Sequence, residues 1–439
     1  MVKWVRTPLP WLDELSARYG NVFSMQLPRL GGPMVIFAEP SAVRDLWTGD
    51  PHVLNAGQAN VILRSVLGKD SLLVLDGERH LRERRLMLPP FHGERMKAYG
   101  DAMREVTVRE IERWPIGRPF PVHESTQAIT LDVIMRTVFG VGSDDPRLVP
   151  LRDALVRWTT LGTSRLGTAL LLLTPPERAE GVRLLAQHGW GRFLPWAPLV
   201  RAQVETDRLV RELIAARRRE GTAGREDILS MLLEARDESG AAMTDDQLRD
   251  EMLTLLVAGH ETTATTLAWT LHHLLEHPDW LARVRAEVRE VGPTELDKLV
   301  LLDAAIKETL RLTPIIPMVG RVLAKPATIG GIDLPAGSAA LACIYLVHRR
   351  ADLWPEPHRF DPSRFVGKKI DPSTYFPFGG GVRRCLGMAF ASYEMKIVLA
   401  NILARTELAA APGKRIKLVR RGITFAPSGG MPIVVTKRY

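Results

Sequence analysis

Ten residues near the end of the chain, Phe378-Gly379-Gly380-Gly381-Val382-Arg383-Arg384-Cys385-Leu386-Gly387, restrict its fold more than any other stretch. Four glycines surround one cysteine, and an amphipathic run from Leu386 to about Leu403 follows at once. Glycine lets backbone approach a flat partner closely and takes positive φ without strain. A cysteine where a helix begins lies at the positive end of the helix dipole, and Arg383 and Arg384 flank this one. Both effects favour the thiolate, the form that binds metal. With no Cys or His partner at zinc spacing, the residue suits neither a zinc site nor an iron–sulfur cluster. It does suit a haem iron held by one axial sulfur. A buried, inert thiol in a glycine loop is the plainer alternative.

Phe378, Gly381, Arg383, Cys385 and Gly387 together fill the pattern F-x-x-G-x-R-x-C-x-G. That pattern resembles the haem-binding loop of cytochromes P450. The resemblance implies that Cys385 is the proximal thiolate ligand of haem b. It makes Phe378, Gly381 and Gly387 part of the cofactor-binding loop and Arg383 a partner for a haem propionate.

At 439 residues the length alone suggests about three domains. No Gly/Ser/Pro linker, low-complexity run or internal repeat divides the chain, so one α-rich body over 1–439 is expected. Its β-rich portions are expected at about 20–75, 315–345 and 415–437. The two cysteines, Cys343 and Cys385, argue against a disulfide framework and for a reducing compartment. No signal peptide is evident, and apolar runs such as Ala169 to Leu173 are too short to span a bilayer. A soluble, cytoplasmic, monomeric protein of bacterial type is the expectation. The 59 basic residues exceed the 50 acidic ones, but the arginines are scattered and not interleaved with aromatics. That excludes a nucleic-acid surface and favours an acidic protein partner.

Taken in order, residues 3–19 read as a helix, and Val22 to Leu27 and Met34 to Phe37 as a hairpin across Gly31-Gly32-Pro33. A helix over Ser41 to Trp47 and a loop with a short helix over 52–75 follow. On a helical wheel of Asp76 to Met87, His80, Leu81, Arg84, Met87 and Leu88 share one half; Arg79, Arg82 and Arg85 share the other. A His and an Arg at i, i+4 on an apolar half need a buried anion, unless they are capped or snorkelling. The H-x-x-x-R spacing resembles the family's grip on a propionate, which makes His80 and Arg84 haem ligands and leaves the other arginines facing solvent on the thiolate side. Residues 95–140 carry two helices split near Trp114-Pro115-Ile116-Gly117. Helices with breaks at Thr174-Pro175-Pro176 and Leu194-Pro195-Trp196 run from Arg147 to Glu220; the resemblance makes this region a mobile lid. Arg217-Arg218-Arg219 reads as a solvated helix end.

Thr244 and Gln247 form a capping box, and no proline intervenes before Pro278. That allows a helix of about 32 residues, roughly 48 Å long. Met252 to Ala258 is apolar on every side, the mark of a buried helix. Gly259, His260, Glu261, Thr262 and Thr263 then interrupt it. A threonine back-bonded to its own helix and a carboxylate in an ion pair are ordinary readings of single residues here. The hexapeptide Ala258 to Thr263 resembles the family's oxygen-binding pattern, [A/G]-G-x-[D/E]-T-[T/S], where the helix bulges over the iron. By that likeness Thr262 supports proton delivery to iron-bound oxygen and Glu261 feeds it, with His260 not a ligand.

Glu308 and Arg311 stand at i, i+3 on one helix face, which alone could be an exposed pair. Glu308-Thr309-Leu310-Arg311 also resembles the family's E-x-x-R, and Phe360 to Phe365 resembles its F-x-P-x-R-F. The likeness implies that Glu308, Arg311 and Arg364 form a buried lock on the cysteine loop and that Arg321 is a further propionate ligand. It places Val66, Leu67, Leu255, Ala258, Gly259, Val319 and Phe425 around the distal haem face, with Ile315, Ile316 and Met318 nearby. These are mostly apolar and contain no Lys/Arg cluster, which points to an apolar substrate such as a terpenoid, steroid or fatty acid. Cys343 reads as plain core. The fold implied is mainly α with a small β-rich side, the P450 fold enclosing a haem. The activity implied is insertion of one oxygen atom from O2, with NAD(P)H electrons relayed by a separate ferredoxin or flavodoxin and its reductase. A peroxide-using peroxygenase and a non-catalytic haem sensor are the rivals.

Overall fold

The computed structural model describes residues 7–26, 32–91, 95–142, 144–164, 166–167, 196–413, 416–421 and 424–439. The apolar clusters at 170–173 and 190–195, and the chain breaks expected beside them, lie outside these residues. The architecture is mainly α with a small β-rich side, as expected.

The central helix runs without interruption from Asp245 to Glu276. Both bonds of its capping box are present: Gln247 N–H donates to Thr244 Oγ1 at 3.2 Å and Thr244 N–H to Gln247 Oε1 at 2.8 Å. Asp245 and Asp246 in its first turn complement the helix dipole, and Pro278 opens the next helix directly after the cap. The helix stays α through Gly259, so the expected bulge does not break it. A Cβ on Gly259 would lie 3.3 Å from Ile134 Cδ1. The glycine therefore serves close packing against helix Val122–Thr137.

Around the central helix lie helices Val122–Thr137, Ala197–Glu220, Val300–Leu312 and Met388–Arg405, which share one large apolar core. A five-stranded mixed sheet forms the second core. It joins the hairpin Val22–Met25/Met34–Phe37 to strands Ala339–Ala342, Val319–Leu323 and Leu54–Asn55. Cys343 is fully buried there, as expected. Among the described residues no helix is long and apolar enough to cross a membrane.

One expectation fails at the end of helix Ala197–Glu220. Arg217 is not solvated but fully buried. It donates to both oxygens of Asp227 at 2.6 Å, to Ser230 Oγ at 2.5 Å, and to the carbonyls of Phe139 and Gly140. Its two terminal nitrogens are met in this way, which makes a buried guanidinium tolerable although Nε finds no partner among the described residues.

Candidate active site

The cysteine loop is shaped by the helix Pro40–Thr48 that packs on it. Gly379 and Gly381 take φ of 66° and 62°. A Cβ on Gly381 would sit 2.2 Å from the Trp47 carbonyl oxygen, and one on Gly380 only 2.6 Å from Trp47 Nε1. Only glycine allows that approach. Cys385 N–H donates to Phe378 O at 2.9 Å, closing the loop on itself. Gly387 is the N-cap of helix Met388–Arg405, so Cys385 stands just ahead of the helix and not within its first turn.

Cys385 is exposed by surface area, yet it is strongly desolvated by surrounding protein. Both hold only if its sulfur faces a space inside the molecule. Burial pushes the thiol up, against the Gly387 N–H, Arg84 and Arg384, which favour the thiolate. The local field alone therefore does not make a thiolate; a cation bound to the sulfur would. Arg383 is not among the groups acting on the thiol. It turns instead to Asp76 Oδ1 at 2.6 Å and to the carbonyls of Leu75 at 2.5 Å and Leu72 at 3.3 Å.

His80, Arg84, Arg321 and Arg383 converge beside that space. His80 is buried, and its pKa is lowered to about 3 by desolvation, then by Arg383, Arg84 and Arg321. Desolvation also lowers Arg84, and brings Arg321 and Arg383 down to about 10. Against three guanidiniums stands one carboxylate, Asp76, already accepting from the backbone of Gly57 and Gln58. Among the described residues the Arg84 side chain has neither a hydrogen bond nor an ion pair, and the one side-chain hydrogen bond of Arg321 goes to its neighbour's carbonyl, Gly320 O, at 2.8 Å. An uncompensated cationic group in a partly dry place calls for an anion. Two propionates beside an accessible sulfur fit that need.

The outward arginines of helix Gly77–Met87, expected to face solvent, do not form a bare basic strip. Arg79 pairs with Asp70 at 2.6 Å, Arg82 with Asp237 at 2.5 Å and Glu83 at 2.7 Å, and Arg85 with Glu238 at 2.7 Å. Asp237 and Glu238 are far off in sequence, so the wheel could not show that the strip is neutralised.

In the central helix Ala258 is exposed, with Leu255, Val257, Gly259 and Thr262 half-buried. An exposed alanine in the middle of a core helix marks an internal space. Thr262 Oγ1 donates to Ala258 O at 2.6 Å, the ordinary back-bond, which leaves the hydroxyl oxygen free as an acceptor. Thr266 and Thr270 repeat the pattern onto Thr262 O and Thr266 O. Val66 and Val319 are half-buried, whereas Leu67 and Phe425 are fully packed.

Glu261 faces helix Val122–Thr137. Its Oε2 accepts from Gln127 Nε2 at 2.6 Å, and its buried Oε1 has no hydrogen-bond partner, with Arg421 at 3.6 Å and His123 at 3.9 Å. Burial raises the pKa of Glu261, against Arg421 and Gln127. The same seam pairs His123 with Thr265 at 3.1 Å, Thr126 with Ala264 O at 2.9 Å, and His260 with Thr130 at 2.8 Å. His260 is buried and neutral, its pKa lowered to about 4 by desolvation.

Glu308, Arg311 and Arg364 meet in the structure. Arg311 donates from Nε and Nη2 to the two oxygens of Glu308 at 2.6 and 2.8 Å, and Arg364 lies 3.4 Å from Glu308 Oε1. Arg311 Nη1 also holds His348 O at 2.7 Å, and His348 Nε2 accepts from Phe376 N–H at 3.1 Å. Phe376 O in turn accepts from Gly379 N–H at 2.9 Å. This chain of bonds ties the lock to the cysteine loop. His348, like Trp47, Asp76, Gln127 and Arg421, carried no motif that would have singled it out.

Comparison with known proteins agrees with this geometry. The family model for cytochrome P450 matches residues 3–175 and 183–433. Cytochrome P450 135B1 of Mycobacterium tuberculosis is 41% identical over 439 residues, covering 99% of this chain and 88% of that protein. Cytochrome P450 138 of the same species is 37% identical over 429 residues, covering 97% and 91%; neither name states a substrate. Two solved structures superpose with a TM-score of 0.83. One is the retinoic acid-bound cyanobacterial CYP120A1, 25% identical, covering 97% of this chain and 94% of that one. The other is the cytochrome P450DA haem domain, 26% identical, covering 99% and 94%. With loop, lock and central helix in this arrangement and a family match along nearly its whole length, the chain belongs to the cytochrome P450 family.

Proposed function

We propose that this chain is a haem-thiolate monooxygenase that inserts one oxygen atom of O2 into a C–H or C=C bond of a largely apolar molecule. The observation that carries this reading is the accessible sulfur of Cys385 beside an under-compensated cluster of His80, Arg84, Arg321 and Arg383. Haem bound there supplies the redox and oxygen chemistry. Cys385 would hold it by sulfur, and the cationic cluster would hold its carboxylates. Thr262 offers a hydroxyl acceptor toward the internal space, and Glu261, the residue before it, is an acid whose raised pKa suits it to holding and passing a proton. That acid–alcohol pair favours O2 over peroxide as oxidant, and a sensor would have no use for it.

Apolar contacts at Ala258, Leu255, Val66 and Val319 favour a terpenoid, steroid or fatty acid, since burial contributes about 25 cal/mol per Å2 without polar anchors. The retinoic acid in the CYP120A1 structure, a long apolar body, is in keeping with that class. Electrons would come from NAD(P)H through a separate ferredoxin or flavodoxin and its reductase. The free cysteines Cys343 and Cys385 suit a reducing cytoplasm, and a monomer suffices for the site.

The test is spectroscopic first. Reduced protein with carbon monoxide should show the red-shifted Soret band of thiolate ligation, and Cys385→His should lose it; a variant that kept the band would remove Cys385 from the iron. Steady NAD(P)H consumption with hydroxylated or epoxidised product, from a reconstituted ferredoxin chain, then separates the monooxygenase from a peroxide-only enzyme and from a sensor.

A further inference from the structure

Trp47 carries a signal that the motifs do not. It lies near the end of helix Pro40–Thr48, and its indole Nε1–H is buried with no acceptor. Indole nitrogen is a donor only, and a buried donor left unmet is unusual enough to need a reason. The ring is firmly placed. Phe376 meets it edge-on at 5.6 Å, and Gly380 passes so close that any Cβ there would fall 2.6 Å from Nε1.

A cationic group stands beside this ring. The Arg321 guanidinium lies 5.4 Å from the Trp47 ring centroid. Arg321 in turn shares its field with Arg383 and His80. Among the described residues the one carboxylate near this group, Asp76, is occupied by Arg383 and by the Gly57 and Gln58 amides. An unsatisfied donor beside the under-compensated Arg321 guanidinium lacks the same thing that it lacks, an anionic oxygen.

We infer that the Trp47 indole N–H donates to a haem propionate, making Trp47 a carboxylate ligand of the cofactor alongside His80, Arg84, Arg321 and Arg383. This rests on the haem reading above. It adds a neutral donor whose position is set by Gly380 and Phe376 and not by a flexible side chain. A hydrogen bond to an ionised acceptor is among the stronger kinds. The contact also ties helix Pro40–Thr48, and through it the five-stranded sheet, to the cofactor edge.

The experiment compares wild type, Trp47→Phe and Trp47→His, each loaded with haem and separately with haem dimethyl ester, which lacks the carboxylates. The rate of haem transfer to excess apomyoglobin is measured, together with the propionate bending band in resonance Raman spectra. Trp47→Phe keeps a ring against Phe376 and deletes only the donor. With haem it should release the cofactor about tenfold faster, as expected for one charge-assisted bond, and the propionate band should shift. With the dimethyl ester the two proteins should release at equal rates. Trp47→His, which keeps a ring N–H, should lie closer to wild type and stands in if the Phe variant does not fold. Equal haem release and an unshifted band in both variants would overturn the inference. So would an acceleration that persisted with the ester, because it would mark a packing role. Wild-type protein without the thiolate Soret band would bring down the haem reading itself, a distinct outcome.

Discussion

In the proposed reaction the Thr262 hydroxyl would serve both helix and chemistry. Its proton is committed to Ala258 O at 2.6 Å, so what it presents to the internal space is lone pairs. Removing them in Thr262→Ala, or replacing the hydroxyl by a methyl in Thr262→Val, should leave haem and substrate binding intact. Product formed per NADPH should fall about tenfold or more, with the balance recovered as peroxide; positioned proton transfer contributes at least that much. Thr262→Ser should restore most of it, and an unchanged ratio in Thr262→Ala would exclude the role. Glu261 carries the matching pH dependence. Burial raises its pKa and Arg421 opposes that rise. Arg421→Gln should therefore push the pKa further up, so that the protonated-carboxyl infrared band of Glu261 persists to higher pH than in wild type. A band that disappears at the same pH in both proteins would mean that Arg421 does not act on Glu261.

Elements were legible where their signals are local. The capping box at Thr244 and the next proline at Pro278 delimit the central helix because both lie in its own sequence. Glu308 and Arg311 meet because i, i+3 residues share a face. What the sequence could not display was partnership over distance. Trp47 reaches Gly380, Asp76 reaches Arg383, and Arg217 finds Asp227 inside the protein although a run of three arginines usually marks solvent. Helix Met388–Arg405 holds another such case. Glu394 is buried with Oε1 unpartnered, and burial raises its pKa to about 8. The folded state then keeps a proton that the unfolded chain releases above about pH 4.5, so this residue makes stability fall as pH rises through that interval to about 8. Glu394→Gln should flatten that slope and raise the unfolding temperature at pH 8 relative to wild type, an effect on the order of a few kcal/mol at most. Parallel Tm–pH curves for the two proteins would show that the carboxyl is ionised in the fold. In helix Val300–Leu312, Arg311→Ala should cost about 3–5 kcal/mol, because it leaves Glu308 as a lone buried charge. Denaturant unfolding measures this.

At the scale of the molecule the proposed function raises the question of where an electron-donating partner would recognise the Cys385 side. The net charge of +9 suits an acidic partner, but charge that is already paired steers weakly. Arg79, Arg82 and Arg85 are each bound to a carboxylate, and two of those ties cross to Asp237 and Glu238, so they join helix Gly77–Met87 to the segment before the central helix. Arg384 differs. It is exposed, follows Arg383 in the cysteine loop, acts on the Cys385 thiol, and among the described residues its one side-chain hydrogen bond is to the sulfur of Met388 at 3.0 Å. Arg384→Glu should therefore slow reduction by an acidic ferredoxin severalfold at low salt, with the difference shrinking as ionic strength rises toward 0.15 M and the Debye length contracts to about 8 Å. Arg82→Glu with Arg85→Glu should instead lower the unfolding temperature, by breaking the ties to Asp237 and Glu238, and change the salt dependence of reduction less. Stopped-flow reduction across a salt series, beside thermal melts of the same proteins, reads both effects. If the double reversal dominated the kinetics and Arg384→Glu did nothing, the partner would have to dock on the helix Gly77–Met87 face after all, with its own acids displacing Asp237 and Glu238.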